Sequence, residues 1–227
     1  WRYGFGLFVP LFVAALVALW LFVPNTTAPS ETTGDRVSSE TLGEILTVLK
    51  RSSFLALLAI QVTLSFIIQG FTSFYPQYLV SIKDIPPSVA ALLLSLFFVS
   101  GAVIQPVSGR LLDTVGIRYT LGGFLGSCLV GLWLLQVVDS LLALVLATVL
   151  FSSWNGCPVV TQTHIVNTLP ESAQGTGFGI LKAGWMTFGA ISPLMIGFLG
   201  DIGHFAEGFL ALAVIGTLGV GVSFRYL

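Results

Sequence analysis

Seven apolar stretches fill almost the whole chain, and each is close to the length that crosses a bilayer. They run over 3–23, 54–80, 88–110, 119–138, 141–163, 175–200 and 205–224. A spanning helix needs about 20 mostly apolar residues. Hydrophobic residues make up 55% of the chain and charged ones 8%, with a mean hydropathy of +0.96. A soluble domain of this size has no core large enough to hide so much apolar surface. Lipid is therefore the solvent. In lipid every backbone N–H and C=O must be satisfied within the chain, and these stretches lack the alternation of a membrane barrel strand. The expectation is an all-α membrane protein, a transmembrane helical bundle with seven spans.

The charge balance excludes some classes. The net charge is −1 and no basic cluster exists, so no nucleic-acid partner is expected. Cys128 and Cys157 both sit inside apolar runs and read as buried small hydrophobes rather than a disulfide framework. His164 and His204 are far apart and read as surface residues, so no metal site and no cofactor is expected. There is no HExxH, no paired intramembrane carboxylate and no Ser/His/Asp spacing, and so no sign of an enzyme. The chain opens on Trp1 and is read as a piece of something longer. Its first stretch lacks the basic start and small-residue cleavage site of a signal peptide.

Lysine and arginine set the orientation. Arg36, Lys50, Arg51, Arg110, Arg118 and Arg225 fall on one side of the membrane, Arg2 and Lys83 on the other. Basic residues concentrate in the cytoplasm, so the linker at 24–53 and the C-terminus are expected there, in a cell-membrane protein.

Residues 24–38 (PNTTAPSETTGDRVS) are a polar, Pro/Thr/Ser-rich linker. Thr41–Lys50 follows as a short helix: Thr41 and Glu44 have capping-box spacing, and Leu42, Ile45, Leu46 and Leu49 share one face, suited to the membrane interface. This divides the chain into a first helix (1–23), a linker (24–53) and a six-helix unit (54–227). The six spans read as two triplets. The third ends IQPVSGRLLDTVG and the sixth ISPLMIGFLGDIG, each with Pro, Gly, Asp and Gly in the same order. The two copies exit on opposite sides, and an inverted repeat is a mark of secondary transporters.

Polar residues inside the spans give the candidate site. Gln61, Ser65, Gln69 and Thr72 form one stripe on the second span, and Thr148, Ser152, Asn155 and Gln162 another on the fifth. Such stripes face either each other, as interhelical glue, or a wet cavity. Gly156 and Pro158 beside Asn155 loosen the helix there, which is tolerated where backbone lines a cavity. Trp133 and Trp20 read as interface anchors, while Trp154 and Trp185 lie deeper. Lys182 is the one charge well inside a span. Such a charge tends to mark a substrate pathway, although a lysine stem can also snorkel. Lys182 is expected on a cavity wall with Trp185, Met186, Gly189 and Pro193, binding an anionic group. No Asp or Glu is expected between span ends, so a proton-coupled mechanism would need its titrating acid elsewhere in the protein.

The turn after the third span has its own logic. Gly109 suits close helix packing, Gly116 a tight turn, and Asp113 can accept from helix-end amides or pair with Arg110 or Arg118. The run Gly109-Arg-Leu-Leu-Asp113-Thr-Val-Gly116-Ile-Arg118 resembles the cytoplasmic loop signature G-x-L-x-D-x-x-G-x-R of the major facilitator superfamily (MFS) of transporters. Trp1-Arg2-Tyr3-Gly4-Phe5 resembles the start of that family's sixth helix, and Leu169-Pro170-Glu171 with Gly175–Gly179 the start of its eleventh. Thr114 and Ile117 depart from it, standing where the family often has basic residues. The resemblance implies the last helix of the N-terminal half, the central linker and the whole C-terminal half, with five earlier helices absent. It implies alternating-access transport of a small solute, with a coupling ion, lipid and the missing helices as partners. Oxalate–formate-type members place a lysine in this helix, which makes a small carboxylate the leading substrate. A drug or sugar permease of the same superfamily and, from another class, a seven-helix receptor are the alternatives.

Overall fold

The computed structural model describes residues 2–22, 52–169 and 174–224, which are helical almost throughout, with no strand among them. The chain divides into two compact units, Trp1–Ser38 and Ser39–Leu227. In the first, α1 (Arg2–Phe22) is an apolar helix that continues through Pro10. The short helix expected at 41–50 and the body of the linker lie outside the described residues.

The second unit is built from α2 (Ser52–Ile82), α3 (Pro87–Val115), α4 (Ile117–Val137), α5 (Leu141–Ser152), α6 (Gly156–Thr168), α7 (Gln174–Gly189), α8 (Ile191–Asp201) and α9 (Phe205–Phe224). Five helical stretches are long and apolar enough to cross a membrane: Ser52–Ile82, Pro87–Val115, Ile117–Val137, Leu141–Thr168 and Gln174–Asp201. With the 21 residues of α1 and the 20 of α9 they match the seven spans expected from hydropathy.

Turn chemistry explains where the spans stop. At the end of α2, Asp84 takes a left-handed φ of +53° and the Ile85 N–H reaches back to the Leu79 carbonyl, a glycine-type helix stop in which Asp is tolerated. Pro86 and Pro87 then open α3. Gly116, between α3 and α4, has φ +83°, and so does Gly203, between α8 and α9. Both closing glycines of the suspected repeat thus adopt the same left-handed conformation, which a side chain would strain. Successive spans run in opposite directions, so these matching turns lie at opposite ends of the bundle.

Two spans are broken. The fifth passes through a single 3-10 turn, Ser153–Asn155, between α5 and α6. Pro158 has no N–H to offer the carbonyl of residue 154. The sixth breaks at Ala190, and Pro193 has none for the carbonyl of residue 189. Ser153 lies twelve residues beyond Leu141 and Ala190 eleven before Asp201, so both breaks sit about 17 Å from the same end of the bundle. Pro76 and Pro106, by contrast, are carried inside unbroken helices.

Helix α2 is the hub and packs against α3, α6, α7, α8 and α9. Toward the Ile82 end its Phe71 ring stacks on Tyr75 (4.2 Å) and meets Phe151 (4.2 Å) and Phe97 (5.3 Å), while Tyr78 stacks on Phe209 at 4.1 Å. Toward the Ser52 end the core is largely aliphatic, with Leu57, Ile60, Leu64, Leu121, Leu125 and Val160 fully enclosed. Cys128 and Cys157 are free and buried, as their apolar context implied.

Candidate functional site

The α2 stripe is mostly occupied in holding helices together. Gln61 is buried, and its Oε1 accepts from the Thr161 hydroxyl of α6 at 2.7 Å. Ser65 is also buried and accepts from Gln69 Nε2 at 3.2 Å. Gln69 further donates to the Met186 carbonyl of α7 at 3.1 Å. Gly189 is pressed onto Ser65 and Gln69 so closely that a side chain there would collide with both. Thr72 donates to its own helix, at the Ile68 carbonyl. Of the two readings for this stripe, glue accounts for its contacts.

The stripe on the fifth span splits. Thr148 is enclosed; its hydroxyl donates to the Leu144 carbonyl and meets the Tyr75 hydroxyl of α2. Ser152 is equally enclosed and donates to the Val149 carbonyl. Asn155, the last residue of the 3-10 turn, and Gln162, beyond it, line instead a cavity of about 410 Å³ between α3 and α6. Gln105, Trp154, Pro158 and Thr163 complete most of its wall. Trp154 also donates its indole N–H to the Leu64 carbonyl at 3.1 Å, which fixes the ring on α2. Asn155 Nδ2 donates to the Ser152 carbonyl at 3.0 Å. Gln105 did not stand out in the sequence, although a lone amide on an otherwise apolar helix was the available signal.

Helix α7 turns differently from the expected cavity wall. Lys182 is exposed, with its Nζ 5.9 Å from the centre of the Phe178 ring, a cation–π contact. Trp185 is not beside it on that surface: it is 3% exposed and belongs to the aliphatic core with Leu57 and Leu64. Three residues of helix turn through about 300°, and that rotation carries Trp185 inward while Met186, one turn on from Lys182, stays exposed.

Among the described residues no carboxylate pairs with Lys182; the ion pairs are Lys83–Asp139 and His204–Glu207. Glu207 corrects the expectation that no acid lies between span ends, because it stands in the first turn of α9. It is exposed, bonded to His204 Nδ1 at 2.9 Å, and at the end of the bundle away from the start of α7. Trp133, expected as an interface anchor, donates to Thr217 Oγ1 at 2.9 Å and joins α4 to α9.

The loop signature is laid out along the end of α3 and the start of α4. Gly109, Arg110 and Asp113 sit on the last turns of α3, Gly116 makes the left-handed turn, and Arg118 starts α4. Asp113, Arg110 and Arg118 are exposed, and no ion pair joins them among the described residues. Among the described residues nothing packs where a Gly109 side chain would stand, so the close helix contact expected of Gly109 is not seen among them.

A bundle of apolar helices with interrupted spans, matched end turns and, within one span, a cation with no carboxylate partner among the described residues has the design of a membrane transporter. A family model described as Major Facilitator Superfamily matches residues 1–157 and again 82–227, and the chain belongs to that family. The membership decides against the receptor alternative. A comparison with curated proteins gave no match.

Proposed function

We propose that the chain forms part of a secondary transporter that moves a small organic anion, a carboxylate first of all, by alternating access. The observation that carries this is Lys182: a cation within an apolar span, exposed, and without a carboxylate partner among the described residues. A charge at such depth is costly unless it meets a counter-charge or water. The ring of Phe178 beneath it steadies the ammonium without neutralising it. An anionic solute supplies the missing charge on binding and removes it on release. Gln69 and the Met186 carbonyl anchor α7 to α2 next to this face, so the lysine is presented from a held helix.

In this reading α1 is the last helix of the preceding half, residues 24–53 join two halves, and 54–227 is the second half. The linker and the C-terminus face the cytoplasm at the cell membrane. The Asp113/Arg110/Arg118 group, without an ion pair among the described residues, is available to fasten one packing of the two halves and release another. Uptake of labelled small carboxylates into proteoliposomes by the full-length protein tests the assignment. Lys182→Gln should reduce uptake at least a hundredfold while leaving the folded yield unchanged. Lys182→Arg should restore only part of it, because a planar fork replaces a compact ammonium. Normal uptake by the Gln variant would overturn the role.

A further inference from the structure

The glutamines and asparagine inside the spans fall into two groups. Gln61, Gln69, Gln77 and Gln136 all use their side chains within the chain, bonding to Thr161, to Ser65 and Met186, to Ser81 and to Leu132. Gln105 and Gln162 differ. Neither side chain makes a hydrogen bond among the described residues, and both line the 410 Å³ cavity. The third amide there, Asn155, commits only one donor, to the Ser152 carbonyl. Gln105 is exposed, Gln162 half-buried and Asn155 buried, so the two free carboxamides open onto the hollow, and enclosing either without a partner would cost about 1–3 kcal/mol. Three converging on one hollow therefore mark a place where polar groups of a ligand, or water, must enter.

The wall specifies the chemistry. The residues lining the cavity carry no formal charge. Carboxamides both donate and accept, which matches a hydroxyl group, itself donor and acceptor. Trp154 and Pro158 supply flat apolar surface for carbon. The volume lies in the range of small-molecule sites, roughly 300–1,000 Å³. The cavity also lies at a depth comparable with the cation's. Gln162 stands six residues before Thr168 and Lys182 eight after Gln174, which places them about 9 and 12 Å from the same end of the bundle. Trp154, on the cavity wall, is partly buried and packs against the core cluster to which Trp185, three residues from Lys182, belongs.

We infer that the Gln105–Asn155–Gln162 cavity binds the uncharged, hydroxyl-bearing part of the transported solute, so that the preferred substrate is a hydroxylated carboxylate rather than a plain one. This rests on the anion reading of Lys182. The experiment compares uptake of two acids of equal chain length, one carrying hydroxyl groups and one without, by the full-length protein in proteoliposomes. The wild type should favour the hydroxylated acid about tenfold, roughly the contribution of one net hydrogen bond to a hydroxyl. Gln105→Leu and Gln162→Leu should each collapse that ratio toward one, whereas Gln105→Glu should disfavour both acids by adding a like charge. Equal uptake of the two acids by the wild type, or an unchanged ratio in both leucine variants, would overturn the inference while leaving the anion reading in place. Uptake of neither acid by the wild type would remove both readings.

Discussion

The two ends of the six-helix unit are built on different principles. Around the Ile82 end, helices are fastened side chain to side chain. Tyr78 donates to the Leu135 carbonyl at 3.0 Å, and Lys83 reaches both the Gln136 carbonyl and Asp139, the latter at 2.8 Å. Beneath them lies the aromatic cluster around Phe71. Around the Gly116 end, the core is mostly aliphatic and the charged residues Arg110, Asp113 and Arg118 have no ion pair among the described residues. One end is closed upon itself. The other has no such fastening among the described residues, and the lone lysine and the amide cavity lie toward it.

That contrast can be broken from the fastened end first. Phe71→Ala removes the ring that touches Tyr75, Phe97 and Phe151, and should cost about 3–5 kcal/mol by leaving a cavity. A large fall in melting temperature in detergent is the readout. Lys83→Ala should cost less, about 1.5 kcal/mol. It loses charge-assisted bonds to Gln136 and Asp139, but Asp139 is 83% exposed and stays solvated. At the open end, Asp113→Asn should leave the melting temperature of the isolated unit where it was, and show its effect only in transport by the full-length protein. A drop as large as that of Lys83→Ala would mean that the open end is fastened after all.

Much of the fold could be read in advance, because span length and hydropathy are additive properties of a segment and need no knowledge of neighbours. The repeat was visible as Pro, Gly, Asp and Gly, and the shared φ of +83° at Gly116 and Gly203 shows what the glycines are for. The breaks were half visible. Pro158 with Gly156 pointed to one, but Pro106 and Pro193 look alike in the sequence, and only the second follows a break. The difference is tertiary: the turn before Pro193 is held by Gly189 against Ser65 and Gln69. The site was less legible. A polar residue in a span faces protein or water according to what the partner helix offers. Gln61 finds Thr161, whereas Gln105 finds no partner among the described residues. Spacing along one helix does not contain that information, and it placed Ser152 and Trp185 on a wall when both are enclosed.

The central position of α2 has a consequence in time. It is the first spanning helix of its unit to be synthesised, yet two of its amides are satisfied by residues made much later. Gln61 waits 100 residues for Thr161, and Gln69 waits 117 for Met186. At about 5–20 residues per second of synthesis, that is a delay of several seconds or more. Through that interval α2 stands in the membrane or its insertion machinery with two amides still short of their final partners. The helix that organises the finished bundle is therefore the one most exposed to error during its assembly, and the one whose early companions in the insertion site matter most.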